Sequence, residues 1–113
     1  MKIEHYSFGK IVIQGKTYAS DVIIYPGQVD ASWWRKEGHY LQPVDLKDII
    51  DSKPAILIVG NGFSGVMVVP EETINFVRSK GIEMRIERTG KAVELFNGMD
   101  RDDRVIAALH LTC

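Results

Sequence analysis

Hydrophobic and polar positions follow one period in the first third of the chain and another in the remainder. Up to residue 34, short runs of β-branched and aromatic residues alternate with turn residues, which predicts antiparallel strands. The runs are Phe8 to Ile13, Asp21 to Tyr25 and Val29 to Trp34. Gln14-Gly15-Lys16 and Pro26-Gly27 lie between them and are typical of tight turns. The first part is therefore predicted to be a β-meander.

From Val44 onward, helical spacing alternates with continuous apolar runs. Asp45 and Thr89 are predicted to cap two helices, and Pro70 to open another at a first-turn position. Strands are predicted to cover 55–59, 82–86 and 105–111, and a charged loop to cover 100–104. The unbroken apolar run 55–59 is typical of a strand covered on both faces. The last three strands form a βαβαβ unit with right-handed crossovers. We therefore predict that residues 1–113 form a single three-layer α/β domain with a central mixed sheet.

Length and charge exclude several classes of function. A chain of 113 residues fits one domain, and 14 basic against 15 acidic residues give a net charge of −1. Such a charge provides no broad positive field for nucleic acid. The longest apolar run, 55–59, is far shorter than the roughly 18 residues that span a membrane. Because the chain has one cysteine and its start does not resemble a signal peptide, we expect a cytoplasmic protein.

A glycine-rich loop follows the predicted buried strand. Residues 60–65 fit the pattern G-x-G-x-x-G, in which glycines let the backbone approach a pyrophosphate at a helix start. The helix is not predicted to start there, because residues 66–70 have the pattern of an extended segment. We therefore expect no NAD, no FAD and no other cofactor. Two interpretations stay open: a tight turn that needs positive φ at Gly62, or a loop that binds an anion or small ligand through Gly60, Gly62 and Gly65.

The segment 33–40 concentrates aromatic, cationic and titratable side chains. Arg35 can form a cation–π contact with a neighbouring tryptophan, and a histidine such as His39 can change its charge near neutral pH. With Asp21 from a nearby strand, an Asp–Arg or Asp–His pair would complete a ligand-binding site. In the alternative interpretation the tryptophans close one end of the core, while Arg35 and His39 satisfy buried carbonyl groups.

Complete catalytic and metal-binding constellations are not recognised in the sequence. Ser64 lacks the spacing of a nucleophile elbow, which needs G-x-S-x-G. His110 and Cys113 are three residues apart, an offset that points their side chains to opposite faces of a strand. We therefore expect no metal site and assign no catalytic residue, which favours a protein that is not an enzyme.

Five blocks of sequence carry a family resemblance. They are Phe8-Gly9-Lys10-Ile11, Asp21-Val22-Ile23-Ile24, Trp34-Arg35-Lys36-Glu37-Gly38-His39, Ile58-Val59-Gly60-Asn61-Gly62 and the closing Ala107-Ala108-Leu109-His110-Leu111-Thr112-Cys113. In these blocks the chain resembles a small α/β domain family. That family includes the adipogenesis-associated protein of animals, a mitochondrial complex I assembly factor and a methanogen structural-genomics protein. The resemblance implies a three-layer domain with a central mixed sheet, and a role in assembly or regulation without an established reaction.

Two functions are compatible with the sequence. The first is a non-catalytic binding or assembly-factor domain that acts through protein partners, a second copy of the chain included. The alternative is a small-ligand, anion-binding protein or an enzyme that uses the 60–65 loop with Arg35 and His39. A catalytic or ligand-binding protein needs convergent polar groups, whereas an assembly domain needs an exposed apolar patch. The arrangement of Asp21, Arg35, His39 and the glycine loop therefore distinguishes the two.

Overall fold

The structure is a computed structural model that describes residues 1–99 and 104–113, so the loop predicted at 100–104 lies outside the described residues except for Arg104. The described strands are β1 (Ile3–Ser7), β2 (Lys10–Ile13), β3 (Lys16–Tyr18), β4 (Val22–Tyr25), β5 (Gln28–Asp30), β6 (Ile56–Asn61), β7 (Glu83–Glu87) and β8 (Val105–His110). The described helices are α1 (Lys47–Asp51), α2 (Glu71–Ser79) and α3 (Thr89–Asn97), and a 3₁₀ turn (Pro43–Leu46) precedes α1.

Five strands form the central sheet in the order β5-β4-β8-β6-β7. Strand β6 pairs in parallel with both β7 and β8, while β4 is antiparallel to β8 and β5. The predicted mixed sheet is therefore confirmed. Strands β1, β2 and β3 form a separate antiparallel sheet. The interior residues of β6 are all buried, as its unbroken apolar sequence predicts for a strand covered on both faces.

Alternation along the central strands divides the core between the two faces of the sheet. One face of the sheet carries Ile23, Val59 and Ala108. It packs against α1, α2 and the loops before and between them through Trp33, Leu41, Ile49, Met67 and Val77. On the other face, Ile58, Ala107 and Leu109 pack with α3 and the small sheet through Ala92, Phe96, Ile11 and Ile13. The three-layer α/β architecture predicted from the sequence is confirmed.

The strand predicted over Val29 to Trp34 is shorter than expected. Strand β5 ends at Asp30, because the Asp30 carboxylate accepts hydrogen bonds from the backbone N–H and the hydroxyl of Ser32. This local turn redirects the chain toward the core. The indole of Trp33 then lies buried, with its Nε1 donating to the carbonyl of Asp45 at 3.2 Å.

Two predicted helix N-caps are wrong because their side-chain oxygens bind elsewhere, although α3 does begin at Thr89. Asp45 lies inside the 3₁₀ turn, where its carboxylate accepts from the backbone N–H of Gln42 at 2.8 Å and of Lys36 at 2.9 Å. Thr89 is the first residue of α3 and follows the N-cap Arg88. Its hydroxyl donates to the carbonyl of His110 at 2.6 Å and accepts from the Gly62 N–H at 2.9 Å.

Gly62 adopts φ of +113°, which confirms the predicted positive φ. The loop around it packs against the closing segment of the chain, where Phe63 N–H donates to the Thr112 carbonyl at 2.7 Å and Val66 N–H to Cys113 at 2.9 Å. A Cβ at Gly62 would overlap the carbonyl group of Cys113 and lie 2.9 Å from the Thr112 oxygen. Both the backbone conformation and the close packing therefore require glycine here.

Gly62→Ala is expected to lower the free energy of unfolding by more than about 2 kcal/mol, because strain at positive φ adds to steric overlap. Urea unfolding measures the change. Gly27→Ala is the matched control, since Gly27 has φ of +80° but no atom of the described residues lies within 4 Å of an added Cβ. It should lose only about 1 kcal/mol. Equal losses in the two variants would contradict the packing contribution.

Candidate functional site

Polar side chains gather at one end of the central sheet, where β6 and β8 reach their carboxyl ends. Asn61 and His110 are register partners in this parallel pair. Their side chains share the face that carries Val59 and Ala108, since residues two apart in a strand point the same way. Asp21 directly precedes β4 at the same end, and Arg35 reaches the site from the loop after β5. We call Asp21, Arg35, Asn61 and His110 the polar cluster.

The Asp21 carboxylate holds the polar cluster together. Its Oδ2 accepts from Arg35 Nη2 at 2.7 Å and lies 2.7 Å from His110 Nδ1. Its Oδ1 accepts from the backbone N–H of Leu111 at 2.8 Å. Because Oδ2 can only accept, the ring proton of neutral His110 is assigned to Nδ1, which leaves the lone pair on Nε2.

The loop after β5 places Arg35 over the sheet. Its guanidinium stacks on the Trp33 ring at 4.5 Å, and its Nε donates to the Gly38 carbonyl at 3.0 Å. The backbone of the loop is fixed to the sheet by the hydrogen bond from Trp33 N–H to the Asp21 carbonyl. His39 is exposed, and its ring meets His110 edge-on with the ring centroids 5.3 Å apart. The loop therefore covers the cluster from the solvent side.

The charge state of Asp21 follows from its surroundings. Burial raises the pKa of this carboxyl group, but the hydrogen bonds from His110, the Leu111 N–H and Arg35 outweigh burial and lower the pKa from 3.8 to about 2. Asp21 is therefore ionised at neutral pH. Its negative charge balances the positive charge of Arg35.

Three polar atoms of the cluster have no hydrogen-bond partner among the atoms of residues 1–99 and 104–113. They are Arg35 Nη1, His110 Nε2 and Asn61 Oδ1, and all three are buried. The Arg35 and His110 side chains are only 5% and 6% exposed. Buried polar groups in proteins nearly always have a hydrogen-bond partner, so these three atoms are an exception within the protein interior.

The structure brings together three of the residues singled out from the sequence. Asp21 and Arg35 form the anticipated ion pair, and His39 lies at the edge of the cluster. The histidine that contacts Asp21 is His110, which sequence analysis considered only as a partner for Cys113. Strand alternation from Ala108 would have placed His110 on this face. Asn61 was noticed only as a variable position of the glycine pattern.

The glycine loop is held by contacts within the chain. The backbone N–H groups of residues 62, 63, 65, 66 and 67 all donate to protein oxygens. A Cβ at Gly60 would lie 2.8 Å from Thr89 Oγ1 and 3.0 Å from Leu109, so this glycine permits close packing. Helix α2 begins only at Glu71, as the extended pattern of 66–70 predicted. Ligand binding by Gly60, Gly62 and Gly65, like the absence of NAD and FAD, stays a prediction.

Residues 3–110 match the model of a family described as a protein of unknown function, DUF498/DUF598. The chain belongs to this family. The small-domain family expected from the sequence is therefore confirmed at this level, and the family description assigns no reaction.

Solved structures share the fold of this DUF498/DUF598 chain over nearly its whole length. A conserved hypothetical protein from Pyrococcus horikoshii is 28% identical, with 100% of each chain covered and a TM-score of 0.85. A Rhodopseudomonas palustris protein, Rpa2829, is 25% identical, with 96% of this chain and 81% of the other covered and a TM-score of 0.78. An outer membrane protein from Bartonella henselae is 23% identical, with coverages of 98% and 94% and a TM-score of 0.81, which shows the fold alone.

Metal ligands and membrane spans bear on two further classes of function. Within residues 1–99 and 104–113, no three His, Cys, Asp or Glu side chains are placed to hold a metal ion. His110 pairs with Asp21, and Cys113 is an exposed free thiol. In the same described ranges, no helix is long and apolar enough to cross a membrane.

Three rings meet at the surface: the half-buried Tyr6 on β1, the exposed Phe8 on the turn that follows and the exposed Phe63 on the loop after β6. Phe8 and Phe63 meet edge-on with centroids 5.8 Å apart, and Tyr6 lies 6.3 Å from Phe63. Phe8 is 56% exposed and Phe63 is 52% exposed. We call Tyr6, Phe8 and Phe63 the aromatic patch. Contiguous exposed apolar side chains are typical of a surface that contacts another molecule.

Asp21 is expected to make stability depend on pH in acid. Because its folded pKa of about 2 lies below the ordinary 3.8, its contribution is present above pH 4 and is lost as the pH falls toward 2. Asp21→Asn should lower the free energy of unfolding by about 3 kcal/mol at pH 7, since it breaks a buried pair, and by much less at pH 2.5. Urea unfolding at several pH values measures both.

The exposed Asp51 supplies the control for this pH dependence. Asp51→Asn should change the unfolding free energy little at either pH, because surface substitutions usually have small effects. A stability difference between wild type and Asp21→Asn that stays constant from pH 7 to pH 2.5 would show that Asp21 does not act through its charge.

Proposed function

We propose that this protein is a small-ligand binding domain whose polar cluster binds an anion. The observation that carries this proposal is the pair of unpartnered atoms, Arg35 Nη1 and His110 Nε2, on side chains more than nine-tenths buried. Of the two functions compatible with the sequence, the geometry favours the alternative one, but with His110 in the place of His39 as the histidine of the site.

The chemistry of Arg35 explains the preference for an anion. A guanidinium stays protonated in proteins and has only donors, so Nη1 can be satisfied only by an acceptor. Asp21 and Gly38 already occupy Nη2 and Nε. Asn61 can present either end of its amide to a ligand, because rotation about its last bond exchanges oxygen and nitrogen. A ligand with acceptor oxygens therefore suits both Arg35 and Asn61.

The position of the cluster supports the same function. Ligands of open α/β sheets bind in the crevice outside the carboxyl ends of the parallel strands. Asn61 ends β6 and His110 ends β8, so both lie at this edge. No hydroxyl or thiol of the described residues forms a hydrogen bond with His110 Nε2. We therefore propose binding without a nucleophilic step.

Anion binding can be tested by titrating the protein with formate, acetate, sulfate and phosphate, each as the sodium salt. Side-chain NMR signals of Arg35 and His110 report on binding at the cluster. Arg35→Lys keeps a cation beside Asp21 but removes Nη1, so affinity should fall at least tenfold, as expected for a hydrogen bond to a charged group of about 1.5 kcal/mol or more.

Arg85→Lys is the matched control for that variant. Arg85 is 46% exposed and pairs with Glu83 on the surface, so its replacement should leave the affinity unchanged. The proposal fails if none of the four anions shifts the Arg35 and His110 signals. It also fails if Arg35→Lys and Arg85→Lys bind the anion equally well.

A second candidate function is favoured by the aromatic patch. We propose it as a surface through which the chain would contact a protein partner in a non-catalytic assembly role, in a cytoplasmic setting. The resemblance to the adipogenesis-associated protein and the complex I assembly factor supports this candidate. Its rings come from β1 with the turn that follows it and from the loop after β6, two segments that meet only in the folded protein, so the surface depends on the fold.

Quantitative co-purification from the native host tests the second candidate. Phe63→Ser should lose a protein partner that wild type retains, because it removes the exposed ring that contacts both other rings of the patch. Phe76→Ser is the control, since Phe76 is 37% exposed on α2, outside the patch. Sedimentation of the purified protein identifies a second copy as the partner. If Phe63→Ser and Phe76→Ser retain identical partners, this surface has no such role.

A further inference from the structure

We infer that the polar cluster selects a small monocarboxylate and takes up one proton on His110 Nε2 when the ligand binds. This inference rests on the proposed function and specifies its ligand class. It follows from the charges of the cluster, from the number of free donors and from the groups that surround His110.

Charge balance requires the proton. Asp21 is ionised and cancels the charge of Arg35, so with neutral His110 the cluster carries no net charge. An anion buried beside it would then lack a compensating charge, which is strongly unfavourable in a protein interior. A proton on Nε2 gives the cluster one positive charge. It also converts Nε2 from an acceptor into a donor.

The atoms balance simply in this step. One proton moves from solvent to His110 Nε2, and no bond within the ligand forms or breaks. The proton on His110 Nδ1 stays there and continues to hydrogen-bond to Asp21. The complex therefore contains an imidazolium, a guanidinium, the Asp21 carboxylate and the ligand carboxylate, two positive and two negative charges in all.

In the part of the chain that the structure describes, the groups around His110 provide no other balancing charge. Besides Asp21 and Arg35, its neighbours are Asn61 on β6, which is uncharged, and His39, which is exposed at the rim. On the β1 side, burial raises the pKa of Tyr6, with a further rise from the charge of Asp21, so this phenol stays neutral. On the α3 side, the uncharged Thr89 hydroxyl donates to the His110 carbonyl and accepts from the Gly62 N–H, and Arg88 is exposed beside Gly65.

The free donors favour a carboxylate over phosphate or sulfate. Arg35 cannot grip a ligand with its usual two-nitrogen fork, because Nε and Nη2 are occupied. It offers Nη1 alone, and protonated His110 offers Nε2. Two donors match the two oxygens of a carboxylate, and one net positive charge matches a monoanion. Phosphate or sulfate would bring more oxygens and up to two negative charges into the same buried site.

Calorimetry of the full chain with formate and acetate tests the proton uptake. The titrations are run in two cationic chloride buffers of different ionisation enthalpy, at a pH where NMR shows His110 of the free protein to be neutral. A plot of the observed binding enthalpy against the ionisation enthalpy of the buffer should have a slope of about one proton per ligand. This slope counts the protons that the protein takes up when the ligand binds. At lower pH, where His110 of the free protein is already protonated, the slope should fall to zero.

Two variants assign the proton to a residue. His110→Gln keeps a polar group beside Asp21 but cannot be protonated, so formate should bind at least tenfold more weakly and without proton uptake. His39→Gln changes the neighbouring ring and should retain both. If His110→Gln does not fold, the His110 signal of wild type serves instead, and formate should shift its titration to higher pH.

The outcomes separate this inference from the proposed function. Tighter binding of sulfate or phosphate than of formate, or carboxylate binding without proton uptake, overturns the inference while anion binding stands. Loss of proton uptake in His39→Gln rather than His110→Gln also overturns it, because the proton then resides on His39. Failure of all four anions to bind at the cluster overturns both.

Discussion

The buried carboxylate of Asp21 is the interaction on which one end of the molecule depends. A buried charge is costly unless donors surround it, and the three donors to Asp21 come from the loop after β5, the end of β8 and the residue that follows it. These segments are distant in sequence. The start of β4, the covering loop and the closing segment therefore adopt their arrangement together, and the loop carries Trp33 into the core as it does so.

Much of the fold was predictable because local patterns agree with it. The apolar run at 55–59 specifies a buried strand whatever its neighbours are, and the extended pattern of 66–70 delays α2 to Glu71. The N-caps of α1 and α3 were misassigned for a physical reason. Asp45 and Thr89 carry the oxygens that usually cap a helix, but a side-chain oxygen can equally bind a distant backbone group, and only the tertiary structure decides between them.

The candidate site was predictable in part. The pairing of Asp21 with Arg35 could be anticipated, because both are charged residues flanking apolar strands. The identity of the histidine could not, since it depends on the long-range register between β4 and β8. That register sets Asp21 opposite the end of β8 and brings His110 to it, leaving His39 at the rim. Which polar atoms remain unpartnered is a further property of packing that no short pattern contains.

The position of β8 has a consequence for the order of assembly during synthesis. Strand β8 lies between β4 and β6, yet the ribosome makes it after both. Until it emerges, the β4–β5 hairpin and the β6–β7 pair each expose an unsatisfied strand edge, which invites pairing with other chains. Its insertion joins the two units into one sheet and delivers His110 to Asp21 in the same event. A nascent chain that carries the polar cluster has thus already closed the edges that would lead it to aggregate.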